Sequence, residues 1–101
     1  MTYPEVRPDP GITRRVLAEN PAMMVVSVRF EAGAEGKPHS HFHAQSTYVT
    51  SGRFRFTVAG KAVEIGAGDS IVIPPDAVHG CLCIEPGELI DTFAPRRDDF
   101  L

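Results

Sequence analysis

The chain has no basic excess: ten Lys and Arg stand against thirteen Asp and Glu, giving a formal net charge of -3 at pH 7. Binding a phosphate backbone needs a clustered positive surface, so nucleic acid is not an expected partner. Long apolar runs are also missing. The longest, Ala22 to Val26, falls far short of the roughly 20 residues that cross a bilayer. The opening residues, Met1-Thr2-Tyr3-Pro4-Glu5, show no charged segment followed by an apolar one, so no membrane contact and a cytoplasmic location are expected. Only two cysteines are present, Cys81 and Cys83. Two apart on one strand face, they seldom have the geometry to bridge each other, so no disulfide framework is implied and a reducing compartment fits. No segment carries a helical period, and there are no repeats or low-complexity tracts. At 101 residues the chain is expected to be one domain, 1–101, with any active site inside it.

What is present is β-structure. Glycine and proline cut the sequence into short pieces rich in β-branched and aromatic residues of alternating polarity. Strands are predicted at 12–18, 23–31, 45–50, 53–58, 61–65, 70–73, 79–84 and 89–94. Turns are predicted at Asn20-Pro21, Ser51-Gly52, Ala59-Gly60, 66–69, 74–76 and Glu85-Pro86-Gly87. Short strands at such close spacing suggest an all-β barrel or two-sheet jelly roll, because closure or stacking removes exposed edges. Met24, Val26, Val28 and Phe30 share one strand face, as do Phe54, Phe56 and Val58, and these faces are candidate core. Opposite them lie Arg29, Arg53 and Arg55. Whether these reach solvent, an interface or a cavity rim stays open at this level.

The candidate chemistry lies in Gly33-x5-His39-x-His41-x3-Gln45-x6-Gly52, followed by Gly68-x5-Pro74-x4-His79. Histidines two apart on an extended segment point to the same side, where a third histidine and a carboxamide can close around a metal. Neutral imidazoles suit divalent zinc, iron, nickel, copper and manganese, and three of them with one oxygen donor leave coordination positions open, as a catalytic site requires. The bland alternative makes His39, His41 and His43 a polar loop entry and His79 a turn residue. The glycine and proline frame around both segments argues against it, since it marks matched strand and turn units.

These two segments resemble the paired motifs of the cupin superfamily, which implies the RmlC-like jelly roll, a double-stranded β-helix barrel. Three positions depart from the usual pattern: Gln45 stands in place of a glutamate, Asp76 of a glycine and Cys83 of an asparagine. A neutral carboxamide leaves the metal more positive than a carboxylate would, which favours Lewis-acid chemistry. Gln45 can alternatively stand behind the ligands instead of among them.

The stretches 39–45, 48–54 and 89–101 are similar to the small single-domain cupins of the KdgF type, which act in pectin and alginate breakdown. That resemblance implies conversion of 4,5-unsaturated monouronates to linear keto acids. It makes His39, His41, Gln45 and His79 ligands of a divalent transition metal (Ni, Fe, Mn, Zn or Cu), with Asp91, Phe93 and Arg97 lining the pocket. Asp91 and Phe93 lie two apart on the last strand and share a face. Asp91 is then the proton-transfer group, Phe93 an apolar wall and Arg97 a fork for the uronate carboxylate. The bland alternatives are a barrel-end carboxylate, a core phenylalanine and a solvated tail at Arg96-Arg97-Asp98-Asp99. His43 is expected to touch substrate or a neighbouring carbonyl and not to ligate. Cys81 shares the parity of His79 and is expected to be packing. Rival functions are an iron-dependent dioxygenase and a non-catalytic sugar- or effector-binding cupin. A homodimer is expected by analogy, with 12–18 as a strand able to join a neighbour's sheet.

Overall fold

Strand follows strand for almost the whole length of the chain. A computed structural model describes residues 2–101; Met1, counted in the expected domain, lies outside the described residues. The strands are β1 (Val6–Asp9), β2 (Ile12–Asn20), β3 (Met23–Phe30), β4 (Glu35–His39), β5 (Ala44–Val58), β6 (Lys61–Gly66), β7 (Ser70–Ile73) and β8 (His79–Ala94), followed by a 3-10 turn at Asp98–Phe100. All ladders are antiparallel and join in the order β1-β2-β3-β8-β5-β6, with β4 added to β8 and β7 to β5.

The two long strands make the jelly roll. The second half of β8 pairs with β3 and with the first half of β5, while its first half pairs with β4 and the second half of β5. Each long strand therefore serves both walls. The bend falls where the sequence predicts turns, at Ser51-Gly52 on β5 and Glu85-Pro86-Gly87 on β8. The ladder continues around it through three register shifts, so each predicted strand pair, 45–50 with 53–58 and 79–84 with 89–94, is one bent strand. Glycine permits this: Gly52 has φ +84°, and a Cβ built there would lie 2.6 Å from the carbonyl oxygens of Glu85 and Pro86. Bulges of this kind turn a strand between walls without ending it.

Two further strands lie outside the predicted set. β1 forms on the sheet edge against β2. β4 is polar and almost wholly exposed along its length, so no alternation betrays it. The strand over 12–18 is also less free than expected: β1 covers its first half, and only the later part of β2 keeps an open edge.

The core follows the predicted faces. Met24, Val26 and Phe30 are buried on β3 and Phe54 and Phe56 on β5, with Phe30 and Phe54 edge to face at 5.2 Å. Each such side chain contributes roughly 1.5–3 kcal/mol when fully buried. Arg53 and Arg55 lie on the outer face of the roll, with Glu64 at 2.9 and 3.9 Å. One end of the roll remains polar inside, because Gln45, Thr47, His79 and Asp91 are buried there.

Candidate metal centre

Pairing of β4 with β8 sets His39 opposite His79, and His41 follows in the loop that leads to β5. The imidazole centroids lie 4.4 Å apart for His39 and His79, 4.9 Å for His41 and His79, and 5.6 Å for His39 and His41. One ligand atom from each ring falls within 4.8 Å of the other two. The same main-chain device orients every ring. Nδ1 faces the carbonyl of Lys37 for His39 (2.9 Å), of His43 for His41 (3.1 Å) and of Ala77 for His79 (2.9 Å). A carbonyl only accepts, so each Nδ1 carries the N–H and each Nε2 keeps its lone pair. Burial lowers the pKa of both His41 and His79, aided at His41 by the charge of Arg97, so the two rings stay neutral.

Two contacts call for a cation. His79 Nε2 is buried without a hydrogen-bond partner, and an orphaned buried polar atom is costly. His41 Nε2 lies 3.0 Å from Gln45 Oε1, although its N–H is engaged at Nδ1. The Gln45 orientation is fixed from behind: its amide nitrogen donates to Thr47 Oγ1 at 2.9 Å, and the Thr47 hydroxyl donates to Asp91 Oδ1 at 2.6 Å. Two lone pairs thus face each other, the arrangement of neighbouring donors around one positive ion. The donor set fits a divalent transition metal, and His39, His41 and His79 can hold one.

His39 and His79 border a cavity of ≈190 Å³ whose lining also includes Gln45, Asp91, Phe93 and Arg97. Asp91 is 9% exposed, and burial pushes its carboxyl up to about 6 against the opposing hydrogen bonds from Thr47 and Gln45. Phe93 meets the His41 ring edge to face at 5.6 Å. Arg97 is placed differently from the expected free fork. Its Nε and Nη2 donate to Asp99 at 3.0 and 2.9 Å, and its guanidinium lies 5.0 Å from the Phe93 ring centre. The carboxylate takes Nε and one N–H of Nη2, which leaves Nη1 as the terminal nitrogen with both N–H groups able to turn to a ligand.

The remaining candidates stand beside the histidine triad and not in it, with the His43 ring 5.3 Å from that of His41. His43 is buried under Phe42, stacked at 4.0 Å, and stands outside the histidine triad. Cys81 does border the cavity, but burial drives its thiol up to about 12, so it is inert packing. Sequence reasoning missed Thr47, although it shares strand parity with Gln45. It also missed Arg14 and Phe100, for which no local pattern gave a signal.

A family profile described as Cupin domain matches residues 26–93. Over 93 residues the chain is 39% identical to the pectin degradation protein KdgF of Dickeya dadantii (strain 3937), covering 90% of this chain and 84% of that protein. The fold is similar to that of an RmlC-like cupin from Shewanella frigidimarina NCIMB 400, with TM-score 0.93 and 40% identity over 98% of this chain and 89% of the other. It is equally similar to KdgF from Halomonas sp., with TM-score 0.91 and 40% identity over 98% and 92% of the two chains.

Proposed function

The chain belongs to the cupin family, in its KdgF-like branch, and from that premise we propose that it is a metal-dependent enzyme converting 4,5-unsaturated monouronates to linear keto acids. The observation that carries the reading is a buried carboxyl, Asp91, in the lining of the same cavity as His39 and His79, two of the three converging imidazoles. The substrate class follows the relative named for pectin degradation.

The substrate is a cyclic hemiacetal whose ring oxygen also bears a carbon–carbon double bond. Asp91, ionised above about 6, takes the proton of the anomeric hydroxyl. The bond from the anomeric carbon to the ring oxygen breaks, and the electron pair stays on that oxygen as an enolate. Return of the proton to the far vinylic carbon leaves a ketone and an aldehyde. Thr47 holds Asp91 in place, and Phe93 walls the carbon frame. Arg97, pinned by Asp99, presents Nη1 to the uronate carboxylate. A divalent transition metal held by His39, His41, His79 and Gln45 would supply Lewis-acid polarisation of substrate oxygens.

The proposed assembly is a homodimer. An intermolecular sheet would form at β1 or at the uncovered later half of β2, because the first half of β2 is already paired on both sides. A cytoplasmic location is proposed with it. No helix among the described residues is long and apolar enough to cross a membrane.

The deciding assay follows the enol-ether ultraviolet absorbance of 4,5-unsaturated galacturonate with metal-loaded protein, against the uncatalysed opening and against Asp91→Asn. Acceleration that disappears in the variant supports the reading. No acceleration by the wild type would sink it.

A further inference from the structure

Arg14 is half-buried on β2, with its side chain in the lining of the metal-site cavity. No side-chain carboxylate, nor the chain terminus, forms an ion pair with it among the described residues, whereas Arg29, Arg53, Arg55, Arg96 and Arg97 all have acidic partners. Asp9 also borders the cavity without pairing with it. Its nearest partner is an aromatic ring: the guanidinium carbon lies 3.8 Å from the centre of Phe100, and that of Arg97 lies 4.2 Å from the same ring. Phe100 packs in turn against Phe93 at 5.7 Å. Burial, and after it the charge of Arg97, lowers the Arg14 pKa, while the charge of Asp99, the partner of Arg97, opposes them.

A partly desolvated guanidinium beside a second one is unfavourable unless something negative joins them. Aromatic stacking orients the two groups, and Asp99 pairs with Arg97 but forms no ion pair with Arg14. Each guanidinium carries five N–H donors; Asp99 takes two of those of Arg97, and among the described residues the Arg14 side chain makes no hydrogen bond.

We infer that Arg14 is a second carboxylate-binding residue of the cavity, acting with Arg97 across the shared Phe100 ring to hold the anionic end of the substrate. This rests on the reading of the site as a uronate site and deepens it. The pairing explains why the 3-10 turn at Asp98–Phe100 closes over β2: Phe100 is the positioning residue that sets one guanidinium against the other. Arg14 and Phe100 also form the wall between this cavity and a second of ≈270 Å³ beside Tyr3 and Val16, so the guanidinium sits at a boundary where it can turn to a ligand.

The test is calorimetric binding of D-galacturonate, which has no double bond to react, and of neutral D-galactose to metal-loaded protein. Wild type, Arg14→Gln and Arg14→Lys are compared, with circular dichroism and bound-metal content measured on each. The expected result is that wild type prefers galacturonate and that Arg14→Gln weakens its binding by about tenfold or more, the effect of one charged hydrogen bond, with metal content unchanged. Arg14→Lys, which keeps the charge and loses the planar fork, recovers part of the loss. If Arg14→Gln fails to fold, Arg14→Lys alone still decides: unchanged galacturonate affinity overturns the proposal. Wild-type affinity that does not distinguish galacturonate from galactose, or a Gln variant that binds like wild type, overturns it as well. Arg14-dependent galacturonate binding together with absent ring opening would leave this inference standing and remove the proposed reaction.

Discussion

Thr47 and Asp91 are direct partners in the β5–β8 ladder, and the Thr47 hydroxyl donates to the Asp91 carboxylate at 2.6 Å. The same hydroxyl accepts from the Gln45 amide at 2.9 Å. One threonine therefore couples the carboxyl assigned to proton transfer with the amide oxygen that faces His41. Strand pairing sets this link, since register alone brings a residue of the first motif opposite one more than forty positions later.

Thr47→Val keeps the shape of the side chain and removes both bonds. The Thr47 bond opposes the upward shift of Asp91, so its loss raises that pKa further. The expected outcome is a fall in kcat/KM of about 10- to 100-fold, with the acid limb of the pH–rate profile displaced to higher pH. A profile that falls uniformly without moving would show that Thr47 does not act through Asp91.

Asp91 also makes stability depend on pH. Its folded pKa of about 6 lies above the ordinary aspartate value of 3.8, so the folded state binds the proton more tightly than the unfolded one. Its contribution is fully present below the unfolded pKa and is lost as pH rises through about 6. Two units correspond to about 3 kcal/mol. His41 and His79 act in the opposite direction, because their lowered pKa values cost stability as pH falls. The two effects separate in the difference between wild type and Asp91→Asn. For the metal-free proteins, denaturant titrations should show the wild type losing stability relative to the variant as pH rises from 4 to about 6. A flat difference would contradict a raised Asp91.

Metal should stabilise the fold through the same histidines. A ligand that binds only the folded state contributes about 2.7 kcal/mol at a hundred times its Kd, and each kcal/mol moves Tm by about 4–8 °C in a domain of this size. Chelation is expected to lower Tm by roughly 10 °C or more by this arithmetic, and re-addition of metal to restore it. In His79→Ala, which removes the buried unpartnered Nε2, added metal should leave Tm unchanged. Calorimetric scans with and without metal read this, and an undiminished metal response in the variant would remove His79 from the ligand set.

The parts of the molecule legible in the sequence are those with a local signature. Alternation identified the buried faces of Met24, Val26, Phe54 and Phe56, and motif spacing identified His39, His41 and His79 as a converging set. β4 was illegible because both its faces are polar or solvated and its order comes from pairing with β8. Arg14 carried no signal because its meaning depends on Phe100, which reaches it only when the chain folds back. The Arg97 fork was legible, but its partner was not. Asp99, two residues on and placed in a solvated tail by the bland alternative, folds back onto the same guanidinium.

Glycine at the bend gives the strongest test of how the two walls are joined. Gly87 and Gly52 face each other where β5 and β8 turn, and a Cβ on Gly87 would overlap the Ser51 carbonyl. That obstacle is main chain inside a continuous ladder, so no side-chain rotation relieves it. Gly87→Ala should therefore destabilise by about 4 kcal/mol or more, in the range of exceptional single substitutions. Gly60→Ala meets nothing within 4 Å and strains only its positive φ of +81°, at a cost of about 1–3 kcal/mol. Urea denaturation of both variants separates close approach from backbone strain. Equal losses at the two sites would mean that the β5–β8 bend yields to the extra carbon, and that the walls are less rigidly joined than the ladder implies.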